Sequence, residues 1–192
     1  YGATKAAVER LLRDREAAGE GSFAALRYFN AAGAAPSGDH GEHHDPETHL
    51  IPLAFQAALG QIGGLTIFGT DWDTPDGTCI RDYVHVSDLA DAHVIALERL
   101  LGGGSSITLN LGTGCGHSVC QVVHTARCVT GDRIPAKVRS RRPGDPCRLV
   151  SDSSLAREIL GWVPRRSNLK DQITDAWLWM SQRNFEAVEK GK

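Results

Sequence analysis

Ile80-Arg81-Asp82-Tyr83-Val84-His85-Val86 is an extended run rich in β-branched and aromatic residues, and it passes without a break into Ser87-Asp88-Leu89-Ala90-Asp91-Ala92-His93. A strand that feeds a polar cap residue and then an apolar stripe of helical period is the signature of an α/β unit. The spacing predicts a strand over 80–86 and a helix capped by Ser87 or Asp88, with Leu89, Ala92, His93, Ala96 and Leu97 on one face. The same alternation extends outward in both directions. Upstream, residues 4–18 form an amphipathic helix with Ala7, Val8, Leu11 and Leu12 on one side, ended by Gly19 and Gly21. A buried strand over 23–29, a polar loop over 30–49, a helix over 50–59, a strand over 65–68 and a turn over 70–77 follow. Downstream, a strand over 107–111 runs into Gly112-Thr113-Gly114-Cys115-Gly116, and a helix starts at Ser118 and reaches about residue 130. A basic segment over 137–146, helices near 153–160 and 169–183, and a polar tail over 184–192 expected to fray complete the chain. Strands alternating with helices imply an α/β fold with a parallel sheet.

Composition excludes several classes of function. The chain has 192 residues, 41% of them apolar and 23% charged, with a formal net charge of −2, which fits a globular domain and gives no electrostatic reason for nucleic acid. No apolar run is long enough to cross a membrane and no signal-type opening is present, so the sequence reads as a cytoplasmic protein. Cys79, Cys115, Cys120, Cys128 and Cys147 are odd in number and form no CxxC pair, so neither a disulfide framework nor a zinc site is signalled.

The first candidate for chemistry is Tyr1 with Lys5, four residues apart at the head of a helix and therefore on one face. An ammonium beside a phenol favours the phenolate, and lowering a phenol by about three pKa units takes roughly 4 kcal/mol of differential stabilisation. Tyrosine and lysine at this spacing also recur on many helices by chance, so the neighbouring motifs carry the weight. Tyr1-Gly2-Ala3-Thr4-Lys5 followed by Arg27-Tyr28-Phe29-Asn30 resembles the extended short-chain dehydrogenase/reductase superfamily. Pro36-Ser37-Gly38, Thr48-His49-Leu50-Ile51-Pro52, Ile67-Phe68-Gly69-Thr70-Asp71 and Asp76-Gly77-Thr78-Cys79-Ile80-Arg81-Asp82-Tyr83-Val84-His85-Val86 then arrive in order. With Asn110-Leu111-Gly112-Thr113-Gly114, Arg141-Arg142-Pro143-Gly144-Asp145-Pro146 and Leu160-Gly161-Trp162, they are similar to the UDP-glucose 4-epimerase family over residues 1 to about 180.

That resemblance implies the C-terminal part of a Rossmann-like doubly wound parallel sheet plus a small α/β substrate-binding lobe. Residues 1–32 would be a remnant of the NAD-binding domain. Residues 33–183 would be mainly the UDP-sugar lobe, interleaved with the last Rossmann elements at about 80–111. It implies NAD as cofactor and interconversion of UDP-glucose and UDP-galactose, with Tyr1 removing the sugar 4-hydroxyl proton as hydride leaves the same carbon, and a 4-keto sugar turning in the site before hydride returns. Tyr1, Lys5 and Tyr28 would contact the cofactor. Asn30, His49 and Leu50 would meet the phosphates, Thr66 and Phe68 the uracil, Arg81 and Arg142 the diphosphate, and Asp145 a ribose hydroxyl. Leu149 would help set the room at the sugar. A homodimer is a further implication. The family's glycine-rich dinucleotide loop is expected upstream of Tyr1, since the chain does not open on methionine, and without it these residues are expected to show neither NAD binding nor turnover. Sister reactions on nucleotide sugars, such as glucuronate epimerisation, decarboxylation or 4,6-dehydration, and a non-catalytic UDP-sugar-binding module are the alternatives.

Three other signals have structural explanations. Gly112–Gly116 has His117 where a dinucleotide loop needs its last glycine, so it reads as a tight strand-to-helix connection. Asp39, His40, Glu42, His43, His44 and Asp45 offer metal-ligand types, but on a polar loop without helical histidine spacing, and no metal is expected. Asp82 is expected to orient Arg81, with Tyr83 and His85 packing internally.

Overall fold

The computed structural model describes residues 2–190, with side chains as far as 182. The elements are α1 (Gly2–Ala17), β1 (Ala24–Tyr28), β2 (Asn30–Ala32), α2 (Leu50–Ala58), β3 (Leu65–Phe68), β4 (Ile80–His85), α3 (Val86–Leu101), β5 (Ile107–Leu111), β6 (Gly116–Ser118), α4 (Val119–Thr130), β7 (Ala136–Arg139), β8 (Arg148–Leu149), α5 (Ser154–Leu160) and α6 (Leu169–Lys190). Three small sheets organise them. β1 and β5 are parallel, with Ala24 opposite Ile107 and Tyr28 opposite Leu111. β4 is the centre of a second sheet, parallel to β2 and β8 and antiparallel to β6. β3 and β7 form a parallel pair.

Strand β4 joins two hydrophobic clusters because successive side chains point to opposite faces. Tyr83 enters one with Ile51, Phe55, Ile134 and Ile173, where α2, α4 and α6 pack together. Val84 enters the other with Leu89, Leu109, Leu111 and Trp162, between β5, α3 and α5. Phe55 is 1% exposed and its ring lies 5.2 Å from that of Trp177; burial of one such side chain stabilises by about 1.5–3 kcal/mol.

Several details depart from the sequence expectations. The cap of α3 is His85, whose side chain accepts from the Ser87 amide, and neither Ser87 nor Asp88 takes that role. The Asp88 carboxylate instead receives the amides of Arg165 and Arg166, holding the segment before α6. Leu89, Ala92 and Ala96 form the buried face of α3, while His93 and Leu97 point outward. Short β2, β6, β7 and β8 lie in stretches that read as loop, because tertiary pairing and not residue preference makes them strands. Helix α6 continues to Lys190 where a frayed tail is expected. Helix α1 buries none of its described residues, so its apolar stripe, with Val8 55% and Leu11 60% exposed, lies on the surface. Among the described residues no helix is long and apolar enough to cross a membrane.

Candidate functional site

A cavity of about 510 Å³ opens beyond the carboxyl ends of β1 and β2, bounded by the start of α2, strand β3, strand β4 and the segment 142–145. Ligands of open α/β sheets sit at this end of the strands. Tyr28, Asn30, His49, Leu50, Thr66, Phe68, Arg81, Arg142 and Asp145 all line it, although they come from separate parts of the sequence. Lys5 and Leu149 are not in its wall. Leu149 is 37% exposed and stands opposite Arg81 in the β8–β4 register, one strand away from the cavity. Tyr1 lies outside the described residues.

Each wall has a local cause. In β3 the alternation buries Leu65 and Ile67 and leaves Thr66 and Phe68 half-buried. The Leu65 and Gly69 amides donate to Pro135 and Arg139 on the β7 side, so the alternation of backbone direction turns the Thr66 and Phe68 amides to the opposite edge, where a planar heterocycle could be read through main chain. Helix α2 begins after His49 with no side-chain cap, and Pro52 in its first turn has no N–H, so the Leu50 and Ile51 amides are the donors its dipole presents to an anion. The His49 amide is already engaged: it donates to Glu47 Oε1 at 2.8 Å. The donors left at this helix start are therefore the Leu50 and Ile51 amides.

Arg81 is fixed by donating from Nη1 to the Ile80 and Pro146 carbonyls at 2.8 and 2.9 Å, and its Nη2 stands 3.7 Å from Asp145 Oδ1. Its side chain is 13% exposed, which leaves the rest of the guanidinium fork available toward the cavity. Arg142 lies over the Phe68 ring with its guanidinium carbon 3.9 Å from the centroid, so the Phe68 face is covered by a cation. Asn30 Nδ2 donates to the Asp82 carbonyl at 3.0 Å. Arg141 stacks on Trp72 and bonds Asp71, which ties the segment before Arg142 to the β3–β4 turn.

Asp82 does not orient Arg81. Its buried carboxylate accepts from the Thr113 amide and hydroxyl, the Gly114 amide and the Ser151 amide, and it thereby locks the Gly112–Gly116 connection to β4 and to the segment after β8. Tyr83 and His85 are buried, and burial pushes the Tyr83 phenol so far up that it is no base near neutrality. Burial likewise pushes the Cys79 thiol up, so this lining thiol is not a poised nucleophile. Sequence reasoning missed Cys79, Tyr83, Trp179 and Met180 as lining residues. The last two come from α6, and only a knowledge of how that helix crosses β2 and β4 places them here.

Two guanidinium groups, helix-start amides and an outer strand edge around one cleft define an α/β protein whose cleft offers hydrogen-bond donors to an anion. The chain belongs to the NAD dependent epimerase/dehydratase family, whose model matches residues 1–112. It is 52% identical over 186 residues to a UDP-glucose 4-epimerase of Azospirillum brasilense, covering 97% of this chain and 53% of that one. Among solved structures, UDP-glucose 4-epimerase from Brucella ovis in complex with NAD superposes with a TM-score of 0.89 at 48% identity, over 93% of this chain and 55% of that one. The enzyme from Bifidobacterium longum in complex with NAD+ and UDP superposes with a TM-score of 0.88 at 35% identity, over 96% and 55%. The chain thus spans about half the length of the curated relatives it matches.

Proposed function

We propose that this chain carries the UDP-sugar site of a UDP-glucose 4-epimerase, an NAD-dependent isomerase that interconverts UDP-glucose and UDP-galactose through a 4-keto sugar. The observation that carries the reading is the convergence of Arg81, Arg142 and the α2 amides on one cavity whose far wall is the open edge of β3. A pyrophosphate needs bidentate, charge-assisted donors, which the two guanidinium groups supply. Main chain at Thr66 and Phe68 takes the uracil, and Asp145, 34% exposed beside Arg81, takes a ribose hydroxyl. Firm hold on the diphosphate leaves the hexose free to turn. Leu149 bears on the sugar only through its place beside Arg81.

At the reacting end, Tyr1 is the proton-transfer group and Lys5 its electrostatic partner. Support comes from α1, which is clamped against β1 by Arg27 donating to both Glu9 oxygens at 2.6 and 2.5 Å; each member of the pair shifts the other toward its charged form. Tyr28, 47% exposed at the carboxyl end of β1 and in the cavity wall, fits a cofactor edge there, with Lys5 gripping its ribose. NAD, when bound, accepts and returns the hydride at the sugar carbon. Gly112–Gly116 is committed to Asp82 and does not fit a dinucleotide phosphate loop. The protein acts in the cytoplasm, consistent with five unpaired cysteines, and as a homodimer, supported by the uncovered stripe of Val8 and Leu11 on α1.

Calorimetric titration with UDP tests the site. The chain is expected to bind UDP, and Arg142→Ala to weaken it by about 10- to 100-fold, the equivalent of one charge-assisted hydrogen bond of roughly 1.5–3 kcal/mol. Arg165→Ala, away from the cavity, serves as the control. No heat with UDP, or equal losses in the two variants, would refute the reading.

A further inference from the structure

We infer that Glu42, His44, Glu47 and His49 form a site for a divalent transition-metal ion, with zinc the best match. One ligand atom from each lies within 4.8 Å of all the others. Four ligand atoms at roughly 2.0–2.2 Å from a common ion stand about 3.3–3.6 Å apart in a tetrahedron, so movements of about an ångström complete the cage. Both imidazole Nδ1 atoms already converge on Glu42 Oε1: that of His44 at 2.9 Å and that of His49 closer still. His44 Nδ1 is also 3.8 Å from Glu47 Oε1. Two imidazole nitrogens and two carboxylates suit zinc or its neighbours, whereas calcium and magnesium call for an all-oxygen shell of about six or more ligands.

The surroundings fix the ligands before any ion arrives. The Glu47 side chain is 4% exposed, and its Oε1 accepts from the Thr48 and His49 amides at 2.7 and 2.8 Å, which sets the direction of the carboxylate. The Trp179 indole donates to the Glu42 carbonyl at 3.1 Å and packs so closely on Gly41 that a Cβ there would lie 2.2 Å from the ring, so α6 pins the start of the ligand loop. The other end is pinned by α2, whose first residue follows His49. The His44 and His49 rings meet edge to face with centroids 5.2 Å apart, both turned to the same point. The pattern E-x-H-x-x-E-x-H has no helical repeat, because the site is made by a loop folding back on the start of a helix. Glu42 and His49 also line the cavity of Arg81 and Arg142, so a bound ion adds positive charge at that rim.

The test is metal binding by the chain itself, stripped with chelator. Titration with Zn²⁺ is expected to show one ion per chain, and His44→Ala and Glu42→Gln each to weaken it by about tenfold or more. His44 is half-exposed and its removal leaves the core intact, which circular dichroism of each variant verifies. Affinity is expected to fall on acidification, because protons compete with the ion for its ligands. Co²⁺ serves as the spectroscopic probe: d–d bands without a thiolate charge-transfer band are expected. A thiolate band would place the ion at a cysteine such as Cys128, 3.7 Å from His124, and overturn the assignment. Unchanged Zn²⁺ affinity in both variants, or no binding by the parent chain, would overturn it equally.

Discussion

Replacing Asp82 by asparagine keeps the shape of a buried side chain and removes one acceptor oxygen. Asp82 is 0% exposed, and its Oδ1 accepts from the Thr113 amide at 3.0 Å and hydroxyl at 2.6 Å, while Oδ2 accepts from the Gly114 and Ser151 amides, each at 3.1 Å. An amide can face only one of these pairs with oxygen. The cheaper orientation turns Nδ2 toward Thr113, because that hydroxyl can reverse and donate to the Cys115 carbonyl, 3.1 Å away. The Thr113 amide is then orphaned at a cost of about 1–3 kcal/mol, and the two remaining bonds lose their charge, at about 1 kcal/mol each. The sum is about 3–5 kcal/mol, a large share of the stability of an ordinary domain. Urea unfolding followed by tryptophan fluorescence measures it, and thermal melting should fall by about 2–4 °C for each kcal/mol in a chain of this size. The opposing effect is relief of a desolvated charge, which favours asparagine. A midpoint that stays put or rises would mean that relief wins and would refute the reasoning.

The remaining predictions concern pH and assembly. Burial holds the His85 pKa below its ordinary value, against the pull of Asp175 at 3.1 Å; its Nδ1 accepts the Ser87 amide, so a second proton would break the α3 cap. Burial depresses His117 in the same sense. The unfolded chain therefore binds protons at higher pH than the folded one, and stability is full above about pH 6.5 and declines as pH falls below it. Urea midpoints at about pH 7.5 and about pH 5.5 should differ less in His85→Asn than in the parent, and an identical slope would count against this account. Leu11→Glu places a charge in the open stripe of α1 and should shift sedimentation from dimer to monomer with little loss of stability; an unchanged dimer would move the interface elsewhere.

Much of this molecule is written in local pattern. Residues 65–68 and 107–111 read as strands and are strands, and the helix expected to start at Ser118 does start there, with Ser118 as its cap. Arg81, Arg142, Asp145 and Asn30, singled out through the family resemblance, do line one cavity. Where the sequence misled, a distant partner outweighed local preference. Ser87 is a good cap residue, yet the His85 ring, held by Asp175 from α6, reaches the amide first. Asp82 sits next to Arg81 in sequence, but strand alternation sends the two side chains to opposite faces, and Asp82 meets Thr113 and Ser151 instead.

The order of the main strands and helices and the α/β class were thus determined by the sequence alone, since periodicity and caps are short-range properties of the chain. Tertiary structure decided which residues share a cavity. It also drew Glu42, His44, Glu47 and His49 around one point, because that convergence depends on the loop being held between Trp179 of α6 and the start of α2, and no spacing along the chain encodes it.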